Sequence, residues 1–232
     1  MPEAERHAVV LCWHMHQPEY REFPDARYRL PWTLLHALKD YVDMAAHLEA
    51  EPAAKAVVNF APVLLEQIAD YAIALGRHLR SGEALPDPLL AAIAGELPAE
   101  PAARRALLQQ CLRANRSRVI ARFSAWERLC ALAERIGLES EDLDWLSDAY
   151  LQDLSVWYLL GWLGETVRLG DPRVKRLQQK ARGFDAADRR ELLQLVQELL
   201  EGVLPRYRAL ALAGRVELAM SPFAHPILPL LL

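Results

Sequence analysis

The sequence predicts an α/β protein: a small parallel sheet with helical connections, interrupted by a large all-helical insertion. Three observations carry this. Two β-branched apolar runs, one opening at Val9 and one at Ala56–Phe60, are each followed by a helical pattern. Strand, helix, strand, helix is the order that parallel pairing requires. From Pro86 to Ala213 nothing alternates like a strand, and a helix stop with a short strand then returns at Gly214–Met220. The expected division is 1–85 for the first strands and helices, 86–213 for the helical insertion, and 214–232 for the third strand and the loop after it.

The first strand is Val9-Val10-Leu11-Cys12-Trp13, read as buried, and it passes into His14-Met15-His16-Gln17-Pro18. Residues i and i+2 of a strand share a face, so His14 and His16 point the same way. Pro18 has no N–H for a neighbouring strand and ends the element. Two imidazoles and an amide thus arrive at the C-terminal end of a strand, where ligand chemistry collects in parallel sheets. Satisfied surface histidines would leave the same pattern. His-x-His is also a fragment of metal sites, but two ligands are too few to define one.

Glu19–Leu30 is charged and aromatic without a period, hence a loop. Pro31-Trp32-Thr33 opens a helix whose stripe is Leu34, Leu35, Leu38, Tyr41, Val42, Ala45 and Leu48, ended by Pro52. Pro62 starts the next, ended near Gly76 or Gly82. In the insertion, residues 88–96, 102–136, 141–162, 172–181 and 186–213 read as helix. Gly137 and Gly183 are stops, and Ser140, Asp171 and Asp185 are N-caps. Ser221–Pro226 is a loop between prolines. Ile227–Leu232 reads as the first turn of a helix whose remainder is absent, so the chain reads as truncated there.

The composition, 53% hydrophobic and 25% charged with a net charge of -4, is that of a globular chain. Without a dense Lys/Arg run it gives no support to a nucleic-acid or anionic-membrane partner. Cys12, Cys111 and Cys130 are scattered with no CxxC, which fits reduced thiols better than a disulfide framework. The polar start Met1–Arg6 carries no secretory signal, and no run is long enough to span a membrane. The expected location is the cytoplasm.

Three strand ends are expected to present polar groups: His14, His16 and Gln17 on the first, Asn59 on the second, Glu217 on the third. On neighbouring strands of one barrel these would converge at a mouth. With flat faces from Trp32, Tyr20 and Tyr28 they suit a sugar ring, which offers both C–H faces and hydroxyls. Simple packing at a helix start explains Trp32 as well, and an edge-strand charge explains Glu217 as well.

At this point the chain resembles a known family. His16-Gln17-Pro18 after Trp13-His14-Met15 resembles the first conserved region of glycoside hydrolase family 57. Three further stretches are similar to that family's amylase and amylopullulanase-like branch: Pro31-Trp32 with Leu35–Tyr41, Asn59–Gln67 and Asp153–Trp162; Ser221–Leu230 resembles the stretch just after the family's second conserved region. Gly214-Arg215-Val216-Glu217-Leu218 resembles the second conserved region, with Arg215 where a glutamine is more usual. The matches keep their order from one end of the chain to the other.

The resemblance implies an incomplete (β/α)7-type barrel. It implies a retaining α-glucan-active glycoside hydrolase or transglycosylase of amylase, amylopullulanase or 4-α-glucanotransferase type. Such chemistry needs two carboxyl groups about 5–5.5 Å apart. In the family the nucleophile and the acid/base lie in later conserved regions, expected beyond Leu232, so no catalytic residue is assigned and the chain alone is expected to be inactive. His14, His16, Gln17, Trp32, Glu217 and His225 are the expected substrate-binding residues, for an α-glucan or maltooligosaccharide. No cofactor or metal is expected. The alternatives are a metal-dependent hydrolase of α-mannosidase or deacetylase type, and a non-catalytic carbohydrate-binding or regulatory protein.

Overall fold

The structure, a computed structural model, describes residues 9–225. The polar start Met1–Arg6 and the apolar end Ile227–Leu232 lie outside them. The chain runs through β1 (Cys12–Met15), a hairpin of β2 (Arg21–Glu22) and β3 (Arg27–Tyr28), and α1 (Trp32–His36). A π-helical turn at Ala37–Tyr41 then leads into α2 (Val42–Ala50), followed by β4 (Ala56–Phe60) and α3 (Pro62–Ser81). The helical stretch comprises α4 (Pro88–Ala94), α5 (Pro101–Cys111), α6 (Ser124–Ile136), α7 (Asp148–Gly161), α8 (Glu165–Gly170), α9 (Pro172–Lys180) and α10 (Ala186–Leu212). It ends in β5 (Val216–Met220).

The mixed α/β class holds. The sheet is three-stranded and parallel, ordered β1-β4-β5, with β4 in the middle. Its register places Cys12 and Glu217 on either side of Val57, and His14 and Ala219 on either side of Asn59. The two faces differ. Met15, Val58 and Phe60 are buried against the helices, and Phe60 meets the Tyr207 ring of α10 edge-on at 5.2 Å. The other face carries Cys12, His14, Asn59 and Glu217 and is open or half-open.

Most elements lie where their sequences put them. Pro62 takes the first turn of α3, and Gly82 ends it with φ +72°, a left-handed conformation that glycine adopts without a Cβ penalty. Asp171 and Asp185 cap α9 and α10, Asp185 in a reciprocal capping box with Asp188. Ser140 caps a 3₁₀ turn at Glu141–Trp145.

Four expectations are corrected. The first strand is shorter than its apolar run. Val9, Val10 and Leu11 are 82%, 72% and 55% exposed, because β1 is an edge strand and nothing among the described residues covers them. The loop after it contains the β2–β3 hairpin, closed by Arg29 N–H donating to the Tyr20 carbonyl at 3.0 Å. The continuous helix expected over 102–136 is two helices. The first ends at Cys111, and Asn115 then holds a turn before the second, its side chain accepting from Ser117 Oγ and Arg118 N–H. The helix expected over 141–162 starts as the 3₁₀ turn, and Ser147 then caps α7.

Arg215, the departure from the family pattern, has a structural task. Its guanidinium donates to the carbonyls of Leu48, Glu51 and Ala54, closing the C-terminal end of α2, where a cation is favoured.

Candidate carbohydrate-binding site

The site is built where β1 and β4 end. His14 faces Asn59 across the β1–β4 register, and its Nδ1 lies 2.6 Å from Asn59 Oδ1. An amide oxygen only accepts, so His14 carries its proton on Nδ1 and leaves Nε2 free to accept. Ser221, just past β5, donates its hydroxyl to the same Asn59 oxygen at 2.8 Å. One amide thus ties the ends of all three strands together.

His16 follows two residues later on the same face, its ring 5.8 Å from that of His14. The chain after Ser221 turns back over both. His225 N–H donates to the Pro222 carbonyl at 2.9 Å, and His225 sits at φ +50°. Its ring lies 4.5 Å from His14 and 4.9 Å from His16. Burial lowers the His16 pKa, reinforced by the charges His225 and His14 would carry, so this ring is held neutral. Among the described residues the one histidine paired with a carboxylate is His36, outside this cluster. Among the same residues, no group of three or more His, Cys, Asp or Glu side chains has the geometry to hold a metal ion.

The loop carrying His16 and Gln17 is pinned from beneath. Buried Gln67 of α3 donates to the Pro18 carbonyl at 2.9 Å and accepts from Tyr20 N–H and Thr33 Oγ. Tyr20 in turn donates its hydroxyl to Gln17 Oε1 at 3.2 Å. Arg21, nearly buried, gathers Glu19, Glu66 and Asp70 and fixes the hairpin to the same helix. Val63 N–H, an orphan donor of the first turn of α3, is taken by the Phe223 carbonyl of the His225 loop.

The expected residues divide. His14, His16 and His225 meet, whereas the Gln17 side chain accepts from the Tyr20 hydroxyl and makes no contact with the three rings. Glu217 shares their sheet face but not their level. It is the second residue of β5, in register with Val57 and Cys12, so it lies one residue pair, about 6.6 Å, nearer the N-terminal ends of the strands than His14. There it lines a separate depression with Leu11 and Arg215, so the expectation that it stands at a strand end is corrected. Trp32 makes its ring contacts with His36 at 6.1 Å and Trp162 at 5.7 Å, away from the imidazole cluster. Ser221 and Gln67 were not singled out from the sequence. A serine and a glutamine carry no periodic signal, and only the fold brings them to the histidines.

This arrangement defines a class: an α/β protein whose parallel sheet offers imidazoles, an amide and hydroxyls at the C-terminal ends of its strands. Such a rim both accepts and donates hydrogen bonds, as a polyhydroxylated ligand demands. The family model described as Glycosyl hydrolase family 57 matches residues 10–232, and the chain belongs to that family of glycoside hydrolases. No curated protein and no solved structure matches the chain. Among the described residues no helix is long and apolar enough to cross a membrane.

Proposed function

We propose that this chain forms the substrate-gripping wall of a retaining α-glucan-active enzyme of amylase, amylopullulanase or glucanotransferase type. In this reading residues 1–85 and 214–232 belong to an incomplete (β/α)7 barrel, 86–213 is its helical insertion, and the enzyme works in the cytoplasm. The observation that supports it best is the clustering of His14, His16 and His225 above the Asn59–Ser221 tie. A neutral imidazole nitrogen accepts from a sugar hydroxyl. As positive charge grows on the ring in the transition state, that hydroxyl becomes a better donor and the bond strengthens. The cluster therefore supports bond cleavage without forming a bond itself. The nucleophile and the acid/base, which must stand about 5–5.5 Å apart, are supplied by other residues than these. In this reading Glu217 and Trp32 meet neighbouring units of the glucan and not the one held by the histidines.

The test is calorimetric titration with maltotriose and longer maltooligosaccharides. The chain is expected to bind them without turnover. His16→Ala is expected to weaken binding about tenfold, the upper end of what one hydrogen bond contributes. Equal affinity in the variant and the parent would refute the assignment.

A further inference from the structure

Gln67 stands in the second turn of α3 with no solvent exposure, and its amide uses every bond it can make. Nε2 donates to the Pro18 carbonyl at 2.9 Å and to the Val63 carbonyl at 3.2 Å. Oε1 accepts from Tyr20 N–H at 3.2 Å and from Thr33 Oγ at 3.3 Å. An amide has two donors and two lone pairs, so none is left over. The reversed orientation would set its oxygen against two carbonyls and its amino group against an N–H, which fixes the way it points.

The partners give this amide its reach. Pro18 lies two residues after His16. Val63, whose carbonyl Gln67 takes, donates its own N–H to the Phe223 carbonyl at 3.2 Å, and Phe223 lies two residues before His225. A continuous line of hydrogen bonds, Pro18–Gln67–Val63–Phe223, thus joins the two loops whose imidazoles stand 4.9 Å apart. Residues 16–20 follow the end of β1 and residues 221–225 follow the end of β5, so no strand ladder holds either segment. The Asn59 side chain fixes His14 and Ser221 at strand level but bonds to neither His16 nor His225. Two irregular segments keep one separation when something beneath both sets it.

We propose that Gln67 is the positioning residue of the histidine rim: through Pro18 and Val63 it holds the His16 and His225 rings at the separation at which both meet one sugar unit. It touches no ligand and acts only through the histidines. The sugar rests on the function proposed above; the placing of the two rings does not. Burial and the nearby His225 both lower the His16 pKa, so loosening the two loops should return that ring toward its ordinary value of 6.5.

The test follows the histidine ring signals of the isotope-labelled chain by NMR, through a pH titration and a maltotriose titration. Gln67→Met keeps the bulk and loses all four bonds. Its His16 titration is expected to move up toward 6.5, and its maltotriose affinity to fall about tenfold. Asp87→Ala is the control: it too removes a buried polar group, but one with no bond to either loop, so both readings should stay at the parent's values. Gln67→Glu sharpens the reading and decides it where Gln67→Met does not fold. Protonated, the acid accepts from Tyr20 and Thr33 and donates to Pro18; ionised, it faces the Pro18 and Val63 carbonyl oxygens. Taken relative to the parent at the same pH, its ring signals and affinity should match at pH 5 and part at pH 9, the affinity by about tenfold. Three results overturn the positioning role and leave the proposed function standing: rings unmoved in Gln67→Met, rings moved equally in Asp87→Ala, or no pH dependence in Gln67→Glu. Moved rings with unchanged affinity also overturn it. Rings that move as expected, in a chain whose parent binds no maltotriose, support the positioning and overturn the proposed function.

Discussion

The helical insertion and the histidine rim are built by opposite means. In the insertion, order is local. Asp87, Ser147, Asp171 and Asp185 each cap the helix that starts beside them, and the apolar stripes of α4 to α10 close on one another and, through α10, on α3. In the rim, order is long-range. Asn59 binds a residue 45 positions before it and another 162 positions after it. The insertion buries what it uses, whereas the rim leaves His14 open and His16 and His225 half-open. Stability therefore resides in one region and spare hydrogen-bonding capacity in the other, and substitutions should separate the two.

The largest effect is expected at Trp126, fully buried between Phe123 and Tyr158 and pressed so closely on Gly161 that a Cβ there would enter its ring. Trp126→Ala should cost about 3–5 kcal/mol, read from urea unfolding. The fraction that remains folded should bind maltotriose as the parent does. A change in affinity without a change in stability would break the comparison.

Next comes Asp87, buried at the head of α4. It accepts from Leu89 and Leu90 N–H at 2.8 and 3.2 Å and from the Tyr71 hydroxyl at 2.6 Å. Asp87→Ala removes a cap and strands a buried hydroxyl, but it also spares the desolvation that raises this carboxyl's pKa. The net loss should be about 1–3 kcal/mol in the same assay.

How much of this was legible follows the same division. Where a signal is carried by neighbours in the chain, the sequence is enough. Pro62 and Gly82 bracket α3, and Ala56–Phe60 is a strand to the residue. The same-face placement of His14 and His16 needed only the two-residue period of a strand. Where the outcome depends on what covers a segment, local reading fails. Val9–Leu11 looks like core and is exposed because no element among the described residues lies over it. The apolar spacing continues past Cys111, where α5 stops, and Asn115 holds the chain in a turn because its side chain offers the backbone a competing bond. The level of Glu217 depends on strand register, and the partial burial of Trp162 beside α8 depends on a fold-back that no spacing announces.

A smaller effect is expected from pH. The folded state lowers the His16 pKa, whereas the unfolded chain keeps the ordinary value near 6.5. Between the two values the unfolded chain binds a proton that the folded chain refuses. The stability linked to this ring is therefore complete above about pH 6.5 and is lost as the pH falls through the folded value. Melting temperatures of the parent and His16→Asn should converge or cross on going from pH 8 to pH 5, because groups common to both cancel. Parallel curves would show that the ring titrates freely and that its neighbours do not hold it neutral.

The smallest effect on stability, and the sharpest on the comparison, is expected at His14. Its side chain is open, and its one hydrogen bond among the described residues is to Asn59, which keeps Ser221 when the imidazole is gone. His14→Ala should therefore change unfolding free energy by no more than about 0.5 kcal/mol. Its free Nε2, however, is an acceptor that the proposed function assigns to a sugar hydroxyl, and removing it should weaken maltotriose binding about three- to tenfold. Asn59→Ala supplies the control. It frees the Nδ1 proton that fixes the His14 tautomer and loosens Ser221 as well, so it should lower both affinity and stability. If His14→Ala destabilises the chain as much as Asn59→Ala does, the rim is a structural network like the insertion, and its open imidazoles are not held in reserve for a ligand.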